Sequence, residues 1–244
     1  MKKIIYLVVL LGFTIMTFSV QELTAQKRTV VAFGDSLTAK REGVVTYSEV
    51  IQAEFNKNKI GATVINSGVP GNTSSMAKAR FEKDVLEHKP DLVILLLGTN
   101  DAAVDVWKDP PATGPRVPID VYEQNMRGFI KALKAQGSKI IVVTPLPTRW
   151  TEKLKGMYGK PPYDPTDPDG FNIILKSYVQ RIRDVAASEN VKLIDMYKEF
   201  SKYDKVKGRS MDDLFLDGLH PNTKGQSILA APLLKAIREM KFGK

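Results

Sequence analysis

The sequence predicts an α/β fold, a doubly wound and mainly parallel five-stranded sheet with helices on both faces. Three observations predict it. Five short apolar runs are separated by longer stretches whose apolar residues recur at helical spacing. One run, Leu92–Leu97, has six apolar residues in a row, the pattern of a strand covered on both faces. Among the 244 residues, 43% are hydrophobic and 26% charged, which fits a globular chain and neither a disordered nor a multi-spanning one.

Taken in order, Thr29–Phe33 reads as the first strand, closed by Gly34. Tyr47, Val50, Ile51 and Phe55 then follow a helical period, and Ala62–Ile65 is the second strand. A helix is expected from Met76 to Lys89, with Ser74 or Ser75 as its N-cap and Pro90 as its stop. After the strand Leu92–Leu97, Tyr122, Met126, Phe129, Ile130 and Leu133 mark a helix ended by Gly137. Lys139–Thr144 is the fourth strand. Ile173, Ile174, Tyr178, Ile182 and Val185 precede the fifth, Val191–Ile194. A last helix is expected over Thr223–Met240, kinked or subdivided by Pro232. Two segments stand apart, Ala102–Pro118 and Pro145–Gly170, both rich in Pro, Gly and aromatic residues. Each follows a strand, so each is expected above the carboxyl edge of the sheet as a functional loop.

Residues 1–25 read as a signal peptide rather than as part of the fold: Met1-Lys2-Lys3, an apolar run from Ile4 to Val20, then small or polar residues to Ala25. An uncleaved membrane anchor is the alternative. Residues 26–244 are then expected to form one domain, secreted or periplasmic, in a bacterial cell envelope. The absence of cysteine excludes disulfides, thiolate metal sites and a cysteine nucleophile. Only two histidines, His88 and His220, are present, which leaves little for a histidine-based metal site, and no metal or cofactor is expected. The net charge of +9 is spread over scattered lysines that alternate with apolar residues, the pattern of solvated helix faces rather than of a nucleic-acid surface.

In open α/β sheets ligands bind beyond the carboxyl ends of the strands, so the polar residues leaving each strand matter most. They are Gly34-Asp35-Ser36-Leu37 after the first, Asn66 to Thr73 after the second, and Gly98-Thr99-Asn100-Asp101 after the third. Asp217-Gly218-Leu219-His220 precedes the last helix. Each segment alone is an ordinary turn. Together they bring a serine, a histidine, an acid and two oxyanion donors to one edge, which is what acyl transfer requires. Asp35 and Asp101 read as turn and capping residues. His88, at a helix end on the opposite edge, reads as structural.

At these four blocks the sequence resembles the SGNH hydrolase superfamily, the GDSL-type esterases and lipases, over essentially the whole chain after residue 25. The resemblance implies a three-layer α/β/α, flavodoxin-like fold. It implies Ser36 as nucleophile, His220 as its base with Asp217 behind it, and Ser36, Gly71 and Asn100 as the oxyanion hole. The second block offers both Gly68 and Gly71; Gly71 is chosen because the family's glycine precedes a polar stretch such as Asn72-Thr73-Ser74. No G-x-S-x-G elbow, dinucleotide fingerprint, P-loop or H-E-x-x-H motif competes.

The expected activity is hydrolysis of carboxylic esters through an acyl-enzyme. Trp107, Arg149, Trp150, Tyr158 and Tyr163, in the two loop segments, suit sugar stacking and polar recognition, with Trp107, Arg149 and Trp150 as the substrate-binding candidates. That points to removal of O-acetyl groups from a small-molecule or glycan ester. A lysophospholipase or thioesterase is the same-chemistry alternative; an O-acyltransferase and a non-catalytic carbohydrate-binding protein are the others.

Overall fold

The computed structural model describes residues 27–242, so the expected signal segment lies outside the described residues. Five parallel strands form one sheet: β1 (Arg28–Gly34), β2 (Ala62–Gly68), β3 (Leu92–Leu96), β4 (Lys139–Val143) and β5 (Lys192–Ile194). Their order is β2-β1-β3-β4-β5, the flavodoxin-like arrangement with its reversal point between β1 and β3. All five expected strands are present. The register pairs Gly34 with both Gly68 and Leu96, so the exits of the first three strands lie side by side.

Side chains alternate across the pleat. Val30 and Ala32 of β1 join a core with Tyr47, Ile51 and Leu229, from helices α1 (Tyr47–Lys57) and α7 (Thr223–Glu239). Val31 and Phe33 join the opposite core, with Phe81, Phe129 and Ile182. Those three come from α2 (Ser74–Asp84), α3 (Ile119–Ala135) and α5 (Leu175–Ser188), completing three layers. With both faces covered, every residue of β3 is buried, which accounts for its unbroken apolar run.

Three expectations change in detail. Thr73, not Ser74 or Ser75, caps α2, its hydroxyl accepting from the Met76 N–H at 3.3 Å. That helix stops at Asp84, and Leu86–His88 forms a separate 3₁₀ turn before Pro90. Pro232 does not subdivide α7, which runs unbroken from Thr223 to Glu239. Leu229, Leu233 and Ile237, on both sides of the proline, are buried in one core and hold the flanking turns together.

Between β4 and α5 the short helix α4 (Glu152–Tyr158) forms, capped by the Thr151 hydroxyl on the Leu154 N–H, and α6 (Met196–Ser201) follows β5. The two loop segments are not independent. Val104 and Val106 of the first pack with Leu154, Tyr158 and Tyr163 of the second in a small core of their own. The Val104 N–H donates to Tyr163 Oη at 2.8 Å, and Trp107 Nε1 to Tyr158 Oη at 3.2 Å. The result is one cap over the sheet's carboxyl edge.

Candidate active site

The chain leaves β1 in a tight turn. The Leu37 N–H donates to Asp35 Oδ1 at 2.9 Å, and the Ala39 N–H to the Asp35 carbonyl at 3.0 Å. Position 34 admits only glycine, because a β-carbon there would lie 2.5 Å from the Leu96 carbonyl oxygen. The turn leaves Ser36 half-buried at its apex. Among the described residues its N–H has no partner.

His220 is brought to this serine across 184 residues of sequence, with Nε2 3.0 Å from Ser36 Oγ. Its Nδ1 lies 2.8 Å from Asp217 Oδ2, and its N–H donates to Asp217 Oδ1 at 2.8 Å. One carboxylate thus fixes both the backbone and the ring of the histidine. Burial raises the Asp217 carboxyl, but the hydrogen bonds and charge of His220, with the Leu219 N–H, outweigh it and hold Asp217 well below the usual carboxylate range. An ionised acid behind Nδ1 keeps the proton there and leaves Nε2 to accept one. The loop is braced from behind, since the Arg149 N–H donates to the Gly218 carbonyl at 2.7 Å.

The two glycines of the second block do different work. A β-carbon on Gly68 would lie 2.2 Å from the Ala39 nitrogen, so this glycine permits close packing, and its N–H donates to Asn66 Oδ1 at 3.1 Å. Gly71 has φ +77°, nothing within 4 Å of its β-position, and an N–H without a partner among the described residues. Asn100 Nδ2 lies 3.1 Å from the Asn72 carbonyl and 3.3 Å from Asp35 Oδ2. Ser36, Gly71, Asn100 and His220 all line one cavity of about 410 Å³.

Asp35 and Asp101 sit beneath this floor. Burial pushes Asp35 up to about 7, aided by the neighbouring Asp101 charge and opposed by the hydrogen bonds from Leu37 and Asn100. Asp101 is raised by burial to about 6, against the hydrogen bonds it receives from Ser74 at the start of α2. Both carboxyls serve the turns and helix entry beneath the cavity. His88 is exposed in the turn that precedes β3, at the other end of the sheet from Ser36.

Of the loop aromatics, Tyr158 and Tyr163 line the cavity with Phe171. Trp107 does not; it borders a shallower adjoining groove of about 700 Å³ that shares Gly71 and Arg116 with the cavity. Arg149 and Trp150 lie outside both. The Arg149 guanidinium is held by Asp212 and Asp204, and the Trp150 ring stacks on Phe171 at 4.6 Å with its N–H on the Asp167 carbonyl. Two arginines that sequence reasoning passed over are built into the site. Arg80 of α2 joins three block residues, donating to the carbonyls of Gly34 and Ser67 and to Asn72 Oδ1. Arg116 donates to Asn100 Oδ1. Neither lies in a polar block, and nothing in the spacing marks them.

Among the described residues no group of three or more His, Cys, Asp or Glu is placed to hold a metal ion. A flavodoxin-like sheet carrying serine, histidine and aspartate in one hydrogen-bonded row at its carboxyl edge is the frame of a carboxylic ester hydrolase. Residues 32–228 match the GDSL-like lipase/acylhydrolase family, and the chain belongs to it. An acetylxylan esterase of Geobacillus stearothermophilus is 28% identical over 206 residues, 83% of this chain and 84% of that protein. An uncharacterized lipoprotein of Bacillus subtilis, YqeF, is 29% identical over 216 residues, 82% of this chain and 85% of its own length. The crystal structure of an acetyl xylan esterase, AlAXEase, superposes with TM-score 0.67 at 27% identity, covering 86% of this chain and 99% of that one.

Proposed function

We propose that the protein is an exported O-acetylesterase acting on carbohydrate through an acyl-enzyme. The observation that carries the mechanism is the unbroken row from Ser36 Oγ to His220 Nε2 at 3.0 Å and from Nδ1 to Asp217 at 2.8 Å. His220 takes the Ser36 proton as Oγ attacks the ester carbonyl, and then returns it to the leaving alkoxide. The tetrahedral oxyanion is met by the Ser36 and Gly71 N–H groups and the Asn100 amide. Water, activated by the same imidazole, releases the acid. Replacing Ser36 by alanine is expected to abolish cleavage of p-nitrophenyl acetate with the circular dichroism spectrum unchanged. Equal rates for both proteins would refute the mechanism.

Carbohydrate as the leaving group is supported by the two acetylxylan esterase relatives and by Trp107. The residue is 47% exposed beside the groove that adjoins the cavity, and its indole N–H is tied to Tyr158. Trp107 is therefore our candidate for sugar contact, while Arg149 and Trp150 act indirectly, as braces of the His220 loop and of the cap. Acetate release from a panel of acetylated glycans tests this substrate class. One observation favours a second reading, cleavage of longer acyl esters: part of the cavity wall is apolar, formed by Ala102, Phe171 and Leu175 with the two tyrosines. Rates on p-nitrophenyl esters of increasing chain length separate the two.

A further inference from the structure

Asn100 carries a side-chain amide whose two ends have almost the same shape and opposite hydrogen-bonding character. Only one orientation can serve an oxyanion, the one that turns Nδ2 toward the reacting carbonyl. Arg116, sixteen residues later in the cap, donates from Nη1 to Asn100 Oδ1 at 3.1 Å. On the other side, Nδ2 faces the Asn72 carbonyl at 3.1 Å and Asp35 Oδ2 at 3.3 Å. Turning the amide over would set its N–H groups against a guanidinium and its oxygen against a carbonyl, a donor facing donors and an acceptor facing an acceptor.

Arg116 is itself held. Its Nε lies 3.0 and 3.1 Å from the two oxygens of Asp105 and its Nη2 lies 2.7 Å from Oδ1, while Asp105 is buried and also paired with Lys108. Burial raises the Asp105 carboxyl, but the bonds and charges of Arg116 and Lys108 outweigh it, so the pair stays ionised. The backbone fixes the same spot, with the Arg116 N–H on the Ala103 carbonyl at 2.9 Å. We propose that Arg116, anchored by Asp105, is a positioning residue that fixes and polarises the Asn100 amide for the oxyanion. The site then holds two parallel rows, each ending in the group that acts: Asp217–His220–Ser36 on the proton side and Asp105–Arg116–Asn100 on the charge side. A charged donor on the amide oxygen withdraws electron density and strengthens the N–H at the other end.

The inference rests on the assignment of Asn100 to the oxyanion hole, and a double-mutant cycle on p-nitrophenyl acetate tests both separately. R116M is expected to lower kcat about ten-fold with KM within about two-fold, a loss that exists only in the transition state. R116K, which keeps a cation that can donate to the amide oxygen, should recover part of it. In an N100A background, itself strongly impaired, R116M should change kcat by less than about two-fold, because the group it positions is gone. An equal loss in both backgrounds, or a rise in KM at constant kcat, overturns the role of Arg116. An N100A enzyme with wild-type kcat overturns instead the assignment of Asn100. If R116M fails to fold because buried Asp105 loses its guanidinium partner and keeps only Lys108, D105N/R116M removes both members of the Arg116–Asp105 pair and is read in the same cycle.

Discussion

The carboxyl of Asp35 lies one residue from the candidate nucleophile, fully buried and pushed up to about 7, chiefly by burial. An acid whose folded pKa stands above its unfolded value holds its proton more tightly when folded. Between pH ~4 and ~7, unfolding therefore releases a proton, and this group's contribution to stability falls as pH rises through that window. Asp35→Asn keeps an acceptor for the Leu37 N–H and removes the titration. Denaturation of both proteins from pH 4 to 8 should show the variant gaining on wild type as pH rises; a constant difference would refute the assignment. Asp217 has the opposite sign, since its folded pKa is depressed. Its contribution is present above the usual carboxylate range and lost as pH falls through the folded value. Ser36, Asp217 and His220 were legible in the sequence because each lies in a short polar block at a strand exit or helix entry. The place of Asn100 in the cavity wall was legible on the same ground. The arginines that brace these blocks were not, because each acts on a residue distant in sequence through a side chain whose direction only the fold supplies.

At the scale of elements, the strands were read within a few residues because five buried runs leave little choice. The helices were read where one apolar face persists for several turns. The cap was legible only as a pair of insertions. Helix α4, at seven residues, is too short to show a period. Contact between Val104 and Tyr163 crosses 59 residues with no local trace. That contact makes a prediction. Tyr163→Phe removes the acceptor for a buried N–H and should destabilise the protein by about 1–3 kcal/mol, measured by denaturant unfolding. A change within error would mean that the two halves of the cap are not coupled there.

Across the whole molecule, the functional information lies in the relation between the cavity and its adjoining groove. Their shared border is Gly71 and Arg116, at the edge of the proposed oxyanion hole. A substrate longer than the cavity would leave it past that border and reach Trp107. Trp107→Ala is therefore expected to raise KM about ten-fold or more for acetylated xylo-oligosaccharides, if sugar stacking there contributes about 1.4 kcal/mol. It should leave p-nitrophenyl acetate, which fits within the cavity, unchanged. Equal effects on both substrates would remove the groove from recognition.

Gly218 has φ +81°, and a β-carbon there would lie 2.3 Å from the Arg149 carbonyl oxygen, in rigid backbone on the far side of the loop. Asp217 and His220 flank it and are bonded to each other by ring and by backbone. They form a small closed unit whose one hydrogen bond to the serine, among the described residues, is the 3.0 Å contact from His220 Nε2. Any side chain at 218 must displace that unit as a whole. Gly218→Ala should accordingly uncouple an intact histidine–aspartate pair from an intact serine, leaving a folded protein that has every group needed for catalysis and almost no ability to cleave p-nitrophenyl acetate. The proposed reaction then depends on a residue with no chemistry of its own.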